Sequence, residues 1–409
     1  MRTRMKYEPA RTFLFGSIGL LALGGSATAK DWKLTVRPSP PLAAETPVMV
    51  PAPDGVEDGL YRLTAGGGSA REPIPAVVAT VDGKKTLSVV LPAIATPAKF
   101  TLKKDEAKPS ADSGVAMVPQ GANLEIKIKG QPFAVHHVDV GAKPFLFPLI
   151  GPTGDSYTRA FPMEKLEGED KDHPHQRSFW FTHGLVNGVD FWSEQKNHGT
   201  IKETDRKVDA PSSVLGRLTT RDDWLGPDGA KVCEDERVLT VYDTRRVRVL
   251  DFAVKLKATE GPLVLGDTKE GTFGIRVASS MDVTRKAGGK IRNAEGLEDD
   301  KAWGKASRWV DYSGPVDGEM VGITVFNHPK SFRYPTTWHV RTYGLFAANP
   351  FGWHDFGMPE KGDYTVPKGE SVWFGYRVIL HAGGVPSAGV GDQFASYAEP
   401  PAVDWEAVD

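Results

Sequence analysis

Between Asp172 and Trp192 the chain reads Asp-His-Pro-His-Gln-Arg-Ser-Phe-Trp-Phe-Thr-His-Gly-Leu-Val-Asn-Gly-Val-Asp-Phe-Trp, with His173, His175, Arg177 and His183 interleaved with large aromatics. Imidazole ionises near pH 6.5 (roughly) and binds metals through its neutral nitrogen, so such a cluster suits proton transfer or metal ligation. On an extended segment the i, i+2 spacing of His173 and His175 would put both rings on one side. The ordinary alternative is a set of structural histidines bonded to loop backbone beside Pro174. Four ionisable side chains within so short a stretch, with Asp190 and Trp192 following, favour a site. Aromatic faces of this kind commonly stack on the apolar faces of sugar rings.

Two further clusters share the theme. Gly266-Asp267-Thr268-Lys269-Glu270-Gly271-Thr272-Phe273-Gly274-Ile275-Arg276 puts Glu270 at the mouth of an expected strand between glycines that permit close backbone approach. A carboxylate there suits a general acid or base, the simpler alternative being an ion pair with Lys269 or Arg276. In Trp338-His339-Val340-Arg341-Thr342-Tyr343, alternation would give His339, Arg341 and Tyr343 one face, either solvated or lining a pocket. His328 lies just upstream. Candidate catalytic residues are therefore His173, His175, His183 and Glu270. Candidate substrate-binding residues are Arg177, Asp190, Trp192, Arg276, His328, His339, Arg341 and Tyr343. His173 and His175 are the possible metal ligands, although His-x-His alone fixes no third one.

The elements that must position these groups read as strands. Leu124 to Lys129 and Val247 to Lys257 alternate apolar and polar residues, as half-buried strands do. Further strands are expected at 215–220, 238–242, 274–278, 322–326, 338–343 and 371–380. Short Gly, Asp and Pro turns, with no strand-helix alternation, predict an all-β fold of antiparallel sheets packed as a large sandwich. Residues 30–104, rich in Pro, Ala, Gly and Val, predict a small preceding β-sandwich domain. Residues 105–121 read as a linker and 122–409 as the large domain, which holds every histidine.

Residues 1–29 carry the three parts of a cleavable export signal: Arg2, Arg4, Lys6 and Arg11, an apolar stretch from Thr12 to Leu23, and Ala27-Thr28-Ala29. The mature protein is expected in the periplasm or outside the cell. The apolar stretch is shorter than the roughly 20 residues a spanning helix needs, and no later segment is long enough. With 40% hydrophobic and 25% charged residues the composition is that of an ordinary globular protein, so membrane insertion is not expected. A formal net charge of -2 gives no pull toward nucleic acid. Cys233 is the only cysteine, which excludes an internal disulfide and a thiolate metal cluster.

Asp-His-Pro-His-x-Arg, the run from Val186 to Trp192, Lys269-Glu270-Gly271 with Phe273 to Arg276, and Trp338-His339-x-Arg341-x-Tyr343-Gly344 together resemble the PmoA-like family of secreted bacterial proteins. The resemblance covers roughly residues 115–385. Where that family usually reads His-Pro-His-His-Arg, Gln176 stands at the fourth place here. Members carry the label methane oxygenase, which names a membrane protein; this chain has no spanning segment, so the resemblance implies a family and a fold and not that activity. The layout is similar to galactose-mutarotase-like sandwiches, an analogy of architecture. The leading reading is acid-base chemistry on a carbohydrate, by hydrolysis, elimination or epimerisation, needing no cofactor. The alternatives are a metal-dependent enzyme or oxidase, with His173, His175 and His183 or a distant His328 or His339 as ligands of a divalent metal, and a non-catalytic carbohydrate-binding protein.

Overall fold

The computed structural model describes residues 31–408, apart from 44, 67–71, 82, 107–112, 210–211 and 386–388. The expected export signal, residues 1–29, lies outside the described residues. The protein is all-β, and its described residues form three large antiparallel sheets of seven, eight and eight strands and a two-stranded ribbon. Among the described residues no helix is long and apolar enough to cross a membrane.

The first sheet runs in the order Thr46–Pro51, Lys84–Leu91, Ile74–Val81, Gly59–Ala65, Ala98–Lys104, Trp32–Arg37 and Ala402–Ala407. Period-two alternation sends Leu34, Val36, Leu63, Val78, Leu87, Val89, Phe100 and Leu102 into one shared core. The sheet curls on itself: Trp405, on one edge strand, donates its indole N–H to the carbonyl of Pro51 on the opposite edge strand at 3.1 Å. Its last strand comes from the far end of the chain, so residues 402–407, expected in the large domain, lie in this sheet. The stretch expected as a linker contains the strand Val115–Gln120, which is paired in the second sheet.

The second and third sheets stack face to face. The second runs Trp338–Val340, Leu345–Ala348, Gly271–Arg276, Phe179–His183, Phe145–Phe147, Gln131–His137, Asn123–Ile128 and Val115–Gln120. The third contains the long strands Leu215–Leu225, Lys231–Tyr242, Arg248–Lys257 and Ser371–Ala382 at its centre. Phe179, Phe181, Phe273 and Ile275 of the second sheet meet Phe252, Val254, Phe374 and Tyr376 of the third in a continuous core. Phe179 touches Phe252 edge-on with centroids 5.1 Å apart, and Phe181 lies 5.5 Å from Phe374.

That inward set fixes the outward one. On Phe179–His183 the alternate residues Trp180 and Thr182 face away from the sandwich, and on Gly271–Arg276 so do Gly274 and Arg276. Trp180 lies directly over Gly274, where an added Cβ would stand 2.6 Å from the indole. Glycine is what lets this ring settle flat on the neighbouring strand. Trp180 then packs with Phe145, Phe147, Trp192 and Leu345 in a smaller core on the outer face of the second sheet. The loop carrying Trp192 covers this face and forms one wall of the cleft described next.

Candidate active site

A cleft of about 520 Å³ opens on the outer face of the second sheet. It brings together side chains from all three sequence clusters: His173, His175 and Asp190 from the first, Glu270 from the second, and His339, Arg341 and Tyr343 from the third. Gln176, Ser193, Gln195 and Lys269 complete its lining.

The two leading histidines reach the cleft by a different route from the expected extended segment. Residues 173–176 form a tight turn, closed by the Gln176 amide donating to the His173 carbonyl at 3.0 Å, and His173 has a φ of 43°. The rings meet edge to face with centroids 5.7 Å apart. His173 stacks on Tyr343 at 5.2 Å and bonds Asp172 through Nδ1 at 2.5 Å. Burial, helped by the nearby Lys143 ammonium, brings His175 down to about 4, so it is neutral at ordinary pH with its ring beside Trp192.

Beneath this turn lies buried charge. Arg159 and Arg276 both donate to Asp172, at 2.5 and 2.9 Å, and Arg276 also donates to the Gln176 side-chain oxygen at 2.6 Å. Burial pushes the Asp172 carboxyl up, but Arg276, the His173 bond and Arg159 outweigh it and hold it below the ordinary carboxylate value. The Arg276 guanidinium also lies 5.0 Å from the Tyr343 ring centroid. Gly344 is required beside it: at φ 98° an added Cβ would stand 2.3 Å from the Asp282 carboxylate. Arg276, expected to touch substrate, is fully buried and instead holds the floor on which His173, Gln176 and Tyr343 rest. Gln176, the departure from the usual motif, is buried in this same floor.

Glu270 sits half-buried at the entrance, 3.7 Å from Lys269. Burial pushes its carboxyl up, with Lys269 drawing it partly back. Its turn is pinned from behind by Asn349, whose amide donates to the carbonyls of Thr268 and Lys269 at 2.9 and 2.8 Å, and by Asp355, which accepts the Lys269 amide. Asp190 is differently employed: its carboxylate caps its own loop, accepting the amides of Trp192 and Ser193 at 2.7 and 3.1 Å and the Ser193 hydroxyl. It shapes the wall more than it offers a free base.

On the opposite wall Trp338 and Val340 point into the sandwich, so His339 points out. The expected strand 338–343 stops at Val340, and Arg341–Gly344 is a turn closed by the Gly344 amide on the Arg341 carbonyl at 3.0 Å. Trp303 donates its indole N–H to His339 Nδ1 at 2.8 Å. Indole only donates, so a neutral His339 must carry its proton on Nε2. Burial and the Arg341 charge bring His339 to about 3, keeping it neutral.

Three expected site residues lie elsewhere, and two support the cleft without lining it. His183 has the same parity as Phe179 and Phe181, so it is buried in the sandwich, bonded through Nε2 to the Gly266 carbonyl at 2.8 Å and set 4.7 Å from the Phe351 ring. Arg177 pairs with Glu194, away from the lining. His328 is packed against Trp373 and Tyr397 in a separate cavity of about 280 Å³. Trp192 is wholly buried behind His175. Among the described residues no group of three or more His, Cys, Asp or Glu side chains is arranged to hold a metal ion.

Sequence reasoning missed Asp172 as the hub of the floor, and it missed Lys143. Lys143 is fully buried, donates to Glu194 at 2.5 Å and to the Trp192 carbonyl at 3.2 Å, and is brought down by burial to about 8. Asp172 stood in the motif itself. Lys143 gave no signal, because a single lysine thirty residues upstream looks like any surface lysine.

No curated protein sequence matches the chain. Among solved structures it is similar to a protein in glycosyl hydrolase family 38 from Enterococcus faecalis, at 9% identity and a TM-score of 0.43 over 94% of this chain and 48% of that one. It is also similar to an alpha-mannosidase from Enterococcus faecalis V583, at 11% identity and a TM-score of 0.39 over 93% of this chain and 46% of that one. The chain thus spans about half the length of these proteins, and likenesses so distant carry over neither reaction nor substrate. The match that does place it runs through most of the sandwich and both walls of the cleft: residues 123–395 fit DUF6807, a family of unknown function, and the chain belongs to that family.

Proposed function

We propose that this is an exported carbohydrate-active enzyme whose cleft performs acid-base chemistry on a sugar. The observation that carries the reading is the convergence of Glu270, a carboxyl pushed up by burial, with the neutral imidazoles of His175 and His339 in one cleft beside Tyr343. A carboxyl raised by burial is better suited to hold a proton at working pH, and an imidazole kept neutral is free to accept one.

Of the three reaction types, epimerisation and elimination fit better than hydrolysis. Glycoside hydrolysis ordinarily uses two free carboxyl groups about 5–10 Å apart across the scissile bond. Here the second carboxylate of the cleft, Asp190, is committed to two backbone amides and a hydroxyl. Proton removal at carbon needs one base and one acid, which Glu270 and His175 can supply. Arg341, His339 and Tyr343 would hold the sugar, and the family resemblance to PmoA-like secreted proteins is consistent with work outside the inner membrane.

The test is an NMR screen of mono- and oligosaccharides incubated with the mature protein in D2O, reading deuterium incorporation at carbon, new vinyl protons and released reducing ends. The expected result is exchange or elimination that falls about 10²–10⁴-fold in Glu270→Gln and in His175→Ala. Turnover that survives both substitutions would sink the assignment.

A further inference from the structure

Resting on the carbohydrate reading, we infer that the substrate is an acidic sugar, a uronic acid or an oligosaccharide of uronic acids, whose carboxylate is received by Arg341. The cleft contains two cations. Lys269 is matched by Glu270, but among the described residues no carboxylate lies within ion-pair distance of Arg341. Buried arginines elsewhere pair with carboxylates: Arg159 and Arg276 share Asp172, Arg377 pairs with Asp251, and Arg237 with Asp235. The half-buried, ring-stacked Arg333 instead donates to the carbonyls of Pro350, Gly362 and Asp363, whereas among the described residues the Arg341 guanidinium has neither kind of partner. Arg341 is held instead by rings, with Trp303 at 5.5 Å and Tyr343 at 5.6 Å from its guanidinium carbon.

Rings over a guanidinium fix its plane and leave the edge free, and that edge is the part that binds a carboxylate with two parallel hydrogen bonds. The Nε2–H of His339, its tautomer set by Trp303, adds a neutral donor in the same cleft. A monoanion suits the single unmatched cation better than a dianion does, because beside Asp190 and Glu270 a carboxylate meets less repulsion than a phosphate dianion.

This substrate class also explains why a base and an acid would suffice. Pairing with Arg341 makes the hydrogen on the carbon next to the carboxylate more acidic. When a base removes it, the C–H electron pair moves into the enolate of that carboxylate. Returning a proton to the other face completes an epimerisation. Alternatively the pair forms a carbon–carbon double bond, the β carbon–oxygen bond breaks, and the departing oxygen takes a proton from the acid. Neither course needs an oxidant or a metal.

The experiment is titration calorimetry of the full mature chain with trigalacturonate, its methyl-esterified counterpart and galactose 6-phosphate, for wild type, Arg341→Leu and Arg341→Lys. The expected result is binding of the free acid that weakens at least tenfold on esterification and in Arg341→Leu, and is partly kept in Arg341→Lys. Unchanged melting temperatures would show that the half-exposed Arg341 is not needed for folding. Equal binding of acid and ester, insensitive to Arg341→Leu, would overturn the inference while leaving the carbohydrate reading intact. Preference for the sugar phosphate would overturn the choice of carboxylate. Binding of none of the three would count against both readings.

Discussion

The first sheet and the cleft face of the second are built on opposite terms. The first sheet encloses an apolar core, keeps Arg37–Asp404 exposed on its surface, and contains no histidine. The cleft face buries Arg159, Arg276 and Lys143 and sets neutral histidines against them. Burying charge is costly even when paired, and an apolar replacement is often as stable. Stability therefore does not account for the second region. Its buried pairs hold the turn at His173 and the ring of Tyr343 in fixed places, which is what a site requires and a scaffold does not.

Acid should separate the two regions most strongly. His183 and His339 are held at about 4 and about 3 by burial, below the roughly 6.5 of an unfolded chain. Between those values the unfolded state binds more protons than the folded state, so stability rises with pH and is lost as pH falls from about 6.5 toward 4. Each group contributes on the order of 3 kcal/mol to that loss. Hydrogen exchange followed by mass spectrometry, corrected for intrinsic rates, should show the sandwich opening over this range while the histidine-free first sheet keeps its protection. Equal loss in both would break the comparison.

Truncation should separate them next. Arg276→Ala leaves Asp172 and Gln176 short of a buried partner and should cost about 3–5 kcal/mol in denaturant unfolding, abolishing ligand binding with it. Leu102→Ala, in the centre of the first core, should cost about 2–5 kcal/mol through its cavity yet leave binding at the cleft unchanged in whatever fraction stays folded. The smallest effect belongs to the exposed pair: Arg37→Ala should change stability by less than about 1 kcal/mol, and a larger loss in a urea titration would show that the surface of the first sheet matters more than its exposure implies.

Much of the fold was legible because alternation is local. Leu124 to Lys129 and Val247 to Lys257 are strands within one residue of the expected bounds. The three clusters also proved to line one cleft. What alternation could not supply was parity. His183 belongs to the inward set because Phe179 and Phe181 do, and only the stacked third sheet decides which set is inward. Nor could spacing reveal that His173 and His175 sit in a turn, since a proline between two histidines is compatible with either geometry. Lys143 and Asp172 act through partners distant in sequence, and no pattern within a short window reports such a pairing.

The strand Ala402–Ala407 zips onto Trp32–Arg37, with Arg37 and Asp404 bridged across 367 positions. During synthesis, therefore, Trp32–Arg37 waits with a bare edge until nearly everything between has been made. An unpaired edge strand is an invitation to join another chain, and contacts so remote in sequence form late. A nascent or clipped molecule lacking 402–407 would offer that edge to its neighbours, whereas in the finished sheet the new edge is tied back to Pro51 by Trp405.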